Sequence, residues 1–197
     1  MNSSSYIMYN SRAGVMFNAI RDNVDLVGAE VLDLGCGYGD LAVFSLANGA
    51  SQVTIVDKNP EMVLMSEAKI IRKAPKGIRW ESLVLDIDDR SELAVLKYYN
   101  VAYCTSVLPY LENKDMVLSF LAARSEVSVI EMQYYGDGPG PANIKNDDDM
   151  SVWLRQFWAS VEKIGQSYTG RTPAYRSIWK CDTGRDIWQN PPPALKG

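Results

Sequence analysis

Apolar positions along the chain change period several times. Met16, Ile20, Val24 and Val27 recur at roughly helical spacing, so residues 11–27 are expected to form an amphipathic helix that Gly28 ends. Short apolar runs of strand length then alternate with helical stretches. Strands are expected at 30–34, 52–56, 79–85, 101–105 and 127–133, separated by helices at 41–47, 60–72, 91–98 and 113–124. Pro60 suits the first turn of its helix, where its missing N–H costs nothing. This alternation predicts a parallel sheet flanked by helices. After the fifth strand the rhythm changes: one helix at 150–158 is followed by two strand-like runs, 161–168 and 174–181, with Thr-Gly-Arg-Thr-Pro as a turn between them. The tail from Asn190, with Pro191, Pro192 and Pro193, reads as an extended segment over 190–197.

Composition narrows the class. A chain of 197 residues that is 47% hydrophobic buries one substantial core, which predicts one domain over residues 1–189. The net charge of −4 gives no strong global attraction to nucleic acid or to an anionic membrane. Cys36, Cys104 and Cys181 are odd in number, far apart and lack a Cys-x-x-Cys pair, which argues against a disulfide framework or a zinc site and for a reducing, cytoplasmic setting. The N-terminus has no basic start and no sustained apolar run, and no stretch reaches the roughly 18 apolar residues of a membrane span. An unprocessed chain without a membrane segment is therefore expected. Histidine is absent altogether, so any proton transfer falls to carboxylate, tyrosine, cysteine, lysine or water.

The segment from Val31 to Asp40 reads VLDLGCGYGD: an apolar strand carrying an acid, then three alternate glycines opening a helix. Glycines at 35, 37 and 39 let the backbone turn sharply and approach a ligand, while the helix aims free N–H groups at the same place. A dinucleotide loop needs Gly-x-Gly-x-x-Gly, and its third position here is Asp40, whose carboxylate would repel a pyrophosphate. NAD and FAD are disfavoured on that ground.

The run Asp33-x-Gly35-x-Gly37-x-Gly39 resembles the first motif of class I S-adenosylmethionine-dependent methyltransferases, whose ligand carries a sulfonium and an amino acid end but no phosphate. The resemblance covers about residues 30–135 by motif and the remainder by strand order. It implies a Rossmann-like doubly wound α/β sheet of about seven strands, mostly parallel, closed by an antiparallel C-terminal strand pair. It also implies S-adenosyl-L-methionine as cofactor. Gly35, Cys36, Gly37 and Gly39 would receive the methionine part, with Asp33 fixing the loop and the ligand's amino group. Asp57, at the end of the second strand, would accept hydrogen bonds from both ribose hydroxyls, with Lys58, Asn59 and Met62 beside the ribose and adenine. Asp86 and the Ile87 backbone would meet the adenine edge, and Cys104, Thr105 and Ser106 the sulfonium, with Leu108 and Tyr110 toward the substrate. Three of these positions have a plainer reading. Asp86 also reads as a cap for the following helix, Cys104 as a small buried residue, and Met62, with Met65, as core.

Methyl transfer from a sulfonium neutralises charge, so the protein mainly aligns the acceptor and excludes water. Where the acceptor must lose a proton, the candidates are Glu131, Tyr134 and Asp137, with Tyr135 as a substrate contact. Glu131 stands in an apolar run and is either hydrogen-bonded structurally or tuned upward by burial; Asp137, between glycines, also suits a turn. Tyr110, Tyr134, Tyr135, Trp153, Trp158 and Trp179 serve the core or shape a cavity for a flat or apolar acceptor. Tyr9 and Arg12 are candidates for a lid. Asp147, Asp148 and Asp149 precede a helix and read as capping acids, so no metal is expected. The Asn190-Pro-Pro-Pro tail stands in the wrong place to be the adenine-methyltransferase motif that it resembles. The leading expectation is a small-molecule methyltransferase. An RNA methyltransferase, motivated by Arg171, Arg176, Lys180 and Arg185 but offset by Asp182 and Asp186, is the enzyme alternative, and a catalytically silent cofactor-binding protein the non-enzymatic one.

Overall fold

The computed structural model describes residues 12–133, 144–168 and 175–184. Seven strands form one sheet: β1 (Glu30–Leu34), β2 (Gln52–Asp57), β3 (Arg79–Val84), β4 (Tyr99–Thr105), β5 (Ser125–Gln133), β6 (Ser160–Tyr168) and β7 (Tyr175–Asp182), in the order β3-β2-β1-β4-β5-β7-β6. The first five pair in parallel, and β7 runs antiparallel between β5 and β6. This is the expected doubly wound sheet with an antiparallel C-terminal pair.

Alternate side chains serve opposite faces of the central strands. Val31, Val101, Tyr103 and Val129 pack on one side under α1 (Arg12–Asn23), α2 (Asp40–Ala47) and α3 (Pro60–Lys73). Leu32, Leu34, Ala102, Ile130 and Met132 pack on the other, under α4 (Arg90–Leu93), α5 (Lys114–Arg124) and α6 (Asp147–Leu154). Near-continuous burial along β1, β2 and β4 follows from that double cover. Because the strand order reverses between β1 and β4, a crevice opens beyond their carboxyl ends.

Several elements differ from expectation. The first helix stops at Asn23, and Val27, expected on its buried stripe, is 79% exposed in the turn before Gly28. The helix expected at 91–98 is one turn, α4, capped by Asp89; Leu93 and Leu96 keep a helix-like spacing because the following turn closes through Val95 N–H to Glu92 O and Leu96 N–H to Leu93 O. The helix expected at 150–158 begins earlier and ends at Leu154. Asn146 is its cap, accepting from Asp149 N–H, and Asp147 to Asp149 fill the first turn. Asp147 is also a fastener: its carboxylate takes Lys163 Nζ at 2.6 Å and Ser177 Oγ at 2.7 Å, tying α6 to β6 and β7. The turn expected at 169–173 and the tail lie outside the described residues. Among those described, no helix is long and apolar enough to cross a membrane.

Candidate active site

The glycine loop is built by β2 as much as by β1. Gly35 N–H and Cys36 N–H both donate to Val56 O, at 2.8 and 2.9 Å, which turns the chain off β1. Gly37 N–H then donates to Asp57 Oδ2 at 3.1 Å, while Asp57 Oδ1 accepts from Asn59 N–H at 3.0 Å. Asp57 is therefore held in place from both sides. All three loop glycines are left-handed, with φ of 76°, 50° and 70° at 35, 37 and 39.

They are glycine for different reasons. A Cβ at Gly35 would stand 2.2 Å from Val107 Cγ2, and one at Gly39 would stand 2.2 Å from Ser66 Oγ and 3.1 Å from Ser66 Cα. A Cβ at Gly37 would meet none of the described residues within 4 Å. Close packing thus dictates two of the glycines, and open space faces the third. Gly39→Ala is expected to destabilise the fold by about 2–4 kcal/mol, combining overpacking with left-handed strain. A thermal melt of the variant checks this; a melting temperature equal to wild type would refute the packing argument.

Gly39 caps α2 without a side chain, and Asp33, reaching across from β1, accepts a hydrogen bond from the Ala42 N–H of the first helical turn. Asp33 is 3% exposed, and its Oδ2 is buried without a hydrogen-bond partner among the described residues. Burial raises its carboxyl from 3.8 to about 7, with the charges of Asp57 and Asp40 adding to the rise and the Ala42 N–H opposing it.

A cleft of about 570 Å³ opens over this loop, within the range of small-molecule sites. Of the sequence-selected cofactor residues, Asp33, Gly35, Cys36, Gly37, Asp57, Lys58, Ile87 and Thr105 line it, and so does Tyr110 at its mouth, 69% exposed. Five others stand off the lining. Gly39 is pressed against Ser66, and Asn59 spends its side-chain oxygen capping α3 at Glu61 N–H. Met62 is half-buried, and Met65, expected in the core, is 50% exposed. Asp86 turns its carboxylate to Asp88 N–H, and the helix cap it was a candidate for is Asp89. Cys104 is fully buried on the α5 face, where burial pushes its thiol up to about 12. Leu108 is likewise buried rather than facing a substrate. Cys36 lines the cleft, but burial raises it to about 12 as well, which leaves a poor nucleophile.

The candidate bases divide in two. Tyr134, Tyr135 and Asp137 lie outside the described residues, as does Tyr9, and nothing is described of the Arg12 side chain. Glu131 is wholly buried, and its carboxylate accepts from Ser106 Oγ and from Ser167 Oγ, the latter at 3.0 Å. It belongs to a structural network and is absent from the cleft lining, as expected of a hydrogen-bonded core acid. Arg176 also turns inward, to Ser106 Oγ and Glu131, and is not a surface cation. Trp153, Trp158 and Trp179 are core residues. Sequence reasoning missed Ala13 and Met16 of α1, together with Val107 and Leu111, all of which line the cleft. The vacancy left by Gly35 is the sequence trace of Val107; the helical stripe of α1 carries no sign that one end of it overhangs a cleft.

This arrangement has known counterparts. Residues 31–125 match the family model of the methyltransferase domain. The chain is similar to ribosomal protein L11 methyltransferase of Vibrio cholerae, with 41% identity over 51 residues, 26% of this chain and 17% of that one. It therefore spans under a fifth of the length of that relative. In structure it is similar to magnesium protoporphyrin IX methyltransferase from Synechocystis PCC 6803 with bound S-adenosylhomocysteine, at 19% identity and a TM-score of 0.70, covering 92% of this chain and 87% of that one. A bifunctional kinase-methyltransferase, WbdD, overlays at 18% identity and a TM-score of 0.67, covering 93% of this chain and 40% of that one. Residues 31–125 are thus a methyltransferase domain by family, and the chain as a whole shares the fold of the solved Synechocystis methyltransferase.

Proposed function

We infer that this chain binds S-adenosyl-L-methionine and transfers its methyl group to a small-molecule acceptor. One observation carries the reading: Asp33 Oδ2, a buried carboxylate oxygen without a partner among the described residues, belongs to a residue lining a cleft at the point where strand order reverses. A carboxylate so placed is costly unless a cation completes it. The amino group of the cofactor supplies that cation. Asp57 supports the same fit, because each oxygen already engaged by a backbone N–H keeps a lone pair for a ribose hydroxyl.

When bound, the cofactor presents an electrophilic methyl carbon on a sulfonium. The residues of this chain then have three tasks. Asp33 and Asp57 hold the two ends of the ligand, Gly37 leaves it room, and Val107 with Thr105 and Leu111 keeps water from the reacting side. In this proposal Tyr134 and Asp137, which follow β5 in sequence, serve an acceptor that must lose a proton, and Tyr110 and Tyr135 contact its body. The inward turn of Arg176 removes one of the four cations that favoured RNA. Free, buried cysteines at 36, 104 and 181 agree with a cytoplasmic enzyme.

Calorimetry with S-adenosylmethionine is the test. Wild type is expected to bind, and Asp57→Ala to weaken binding by about 1.5–3 kcal/mol, the scale of charge-assisted hydrogen bonds. Absence of wild-type binding would end the cofactor reading. Methyl-labelled cofactor incubated with separate metabolite and RNA fractions decides the acceptor: label is expected among the metabolites, and label in RNA would overturn the small-molecule assignment.

A further inference from the structure

Ser106 is the one non-glycine residue with a left-handed backbone among those described, at φ 63°. Such a conformation is strained for an L residue and persists only where the surroundings impose it. Three hydrogen bonds impose it here. Ser106 N–H donates to Glu131 O at 3.0 Å, Ser106 Oγ donates to Glu131 Oε2 at 2.5 Å, and Arg176 Nη1 donates to Ser106 Oγ at 3.0 Å. Arg176 Nη1 also stands 3.7 Å from Glu131 Oε2, and Ser167 Oγ holds the other carboxylate oxygen. The network thus joins the end of β4 to β5, β6 and β7.

Its effect reaches the cofactor loop through the next residue. The turn at Ser106 sends Val107 against the loop, where its Cγ2 takes the space that a side chain at position 35 would need. Ser106 and Val107 both line the cleft. We propose that Glu131 and Arg176 are positioning residues, which clamp Ser106 in its left-handed turn and so seat Val107 on Gly35, making the antiparallel strand pair a support for the cofactor cleft. A clamp of this kind gives a role to a buried charge pair beside the carboxyl end of β4, where apolar residues are often as stable. The proposal rests on the reading of the cleft as the S-adenosylmethionine site.

Binding of S-adenosylhomocysteine, measured by calorimetry beside thermal melts, tests it without need of the acceptor. Glu131→Gln is expected to weaken binding about tenfold, and adding Ser106→Gly, which removes the backbone strain, to recover most of that loss. Ser167→Ala is expected to lower the melting temperature with affinity unchanged, because it leaves the Ser106 side of the carboxylate intact. Should Glu131→Gln fail to fold, Ser106→Ala against Ser106→Gly decides: alanine is expected to bind about tenfold more weakly and glycine to recover most of the difference. A folded Glu131→Gln or Ser106→Ala protein that binds as wild type overturns the clamp. Wild type that does not bind overturns the cofactor reading itself, and the clamp with it.

Discussion

Gly37→Val is expected to give a folded protein that binds no S-adenosylmethionine. At φ 50° the Cα–Cβ direction of residue 37 meets none of the described residues within 4 Å, so the isopropyl group is expected to extend into the cleft beside Asp57 rather than into the core. The fold loses only the strain of a left-handed L residue, about 1–2 kcal/mol, with some addition for β-branching. A domain of this size keeps its structure after such a loss, with its melting temperature lowered by a few degrees. The ligand has no such latitude, because the valine occupies its volume. Circular dichroism melts and calorimetry on the same preparation separate the two effects. Wild-type affinity in the variant would take Gly37 out of the site and return its glycine to turn geometry alone. The comparison with Gly39→Ala sharpens the test: one glycine guards space for a ligand and the other guards packing against Ser66. Their variants should therefore fail in opposite ways.

That difference between neighbouring glycines was not legible in the sequence. Spacing located the loop, since alternation of apolar runs and the strand-end acids depends on local periodicity that the chain displays directly. The direction each residue faces depends on partners distant in sequence. Asn59 and Asp89 illustrate this, because a polar residue just past a strand suits a ligand or the next helix equally well, and both residues serve their helices. Asp86 shows the same ambiguity in reverse, having been a candidate cap and being none. Cys104 has only to sit one residue away from Tyr103 and Thr105 to face the opposite side of the sheet, so a strand end divides its residues between cleft and core. Ser106 is harder still, since serine has no preference for a left-handed turn and the network that enforces it is drawn from β5, β6 and β7. Glu131 was visible as an acid in an apolar run, and its partners were not.

Asp33→Asn is expected to separate stability from binding. In the unfolded chain this carboxyl ionises near 3.8, and in the folded protein burial raises it to about 7. Between those values the unfolded chain gives up a proton that the folded chain keeps. The stability that Asp33 contributes is therefore fully present below about pH 4 and declines as pH rises through about 7. Asparagine has no proton to lose, and its oxygen still accepts from the Ala42 N–H. Its amide N–H groups find no acceptor among the described residues where Oδ2 has no partner among them, which offsets part of the gain. At pH 8 the cofactor-free variant should be the more stable protein by about 1–3 kcal/mol, with the difference shrinking toward pH 5. Binding moves the other way. An ammonium beside Asp33 favours the ionised carboxylate, so ligand binding releases a proton below pH 7, and wild-type affinity rises from pH 5.5 toward 7.5 before levelling. The variant should show no such rise and bind about a hundredfold more weakly at pH 7.5, the cost of leaving a desolvated cation without its partner. Melting curves and calorimetry across this pH range read both effects. A wild-type affinity that ignores pH would mean that the ligand's amino group is held elsewhere, and a variant less stable than wild type at pH 8 would mean that the buried carboxylate already has its cation within the protein.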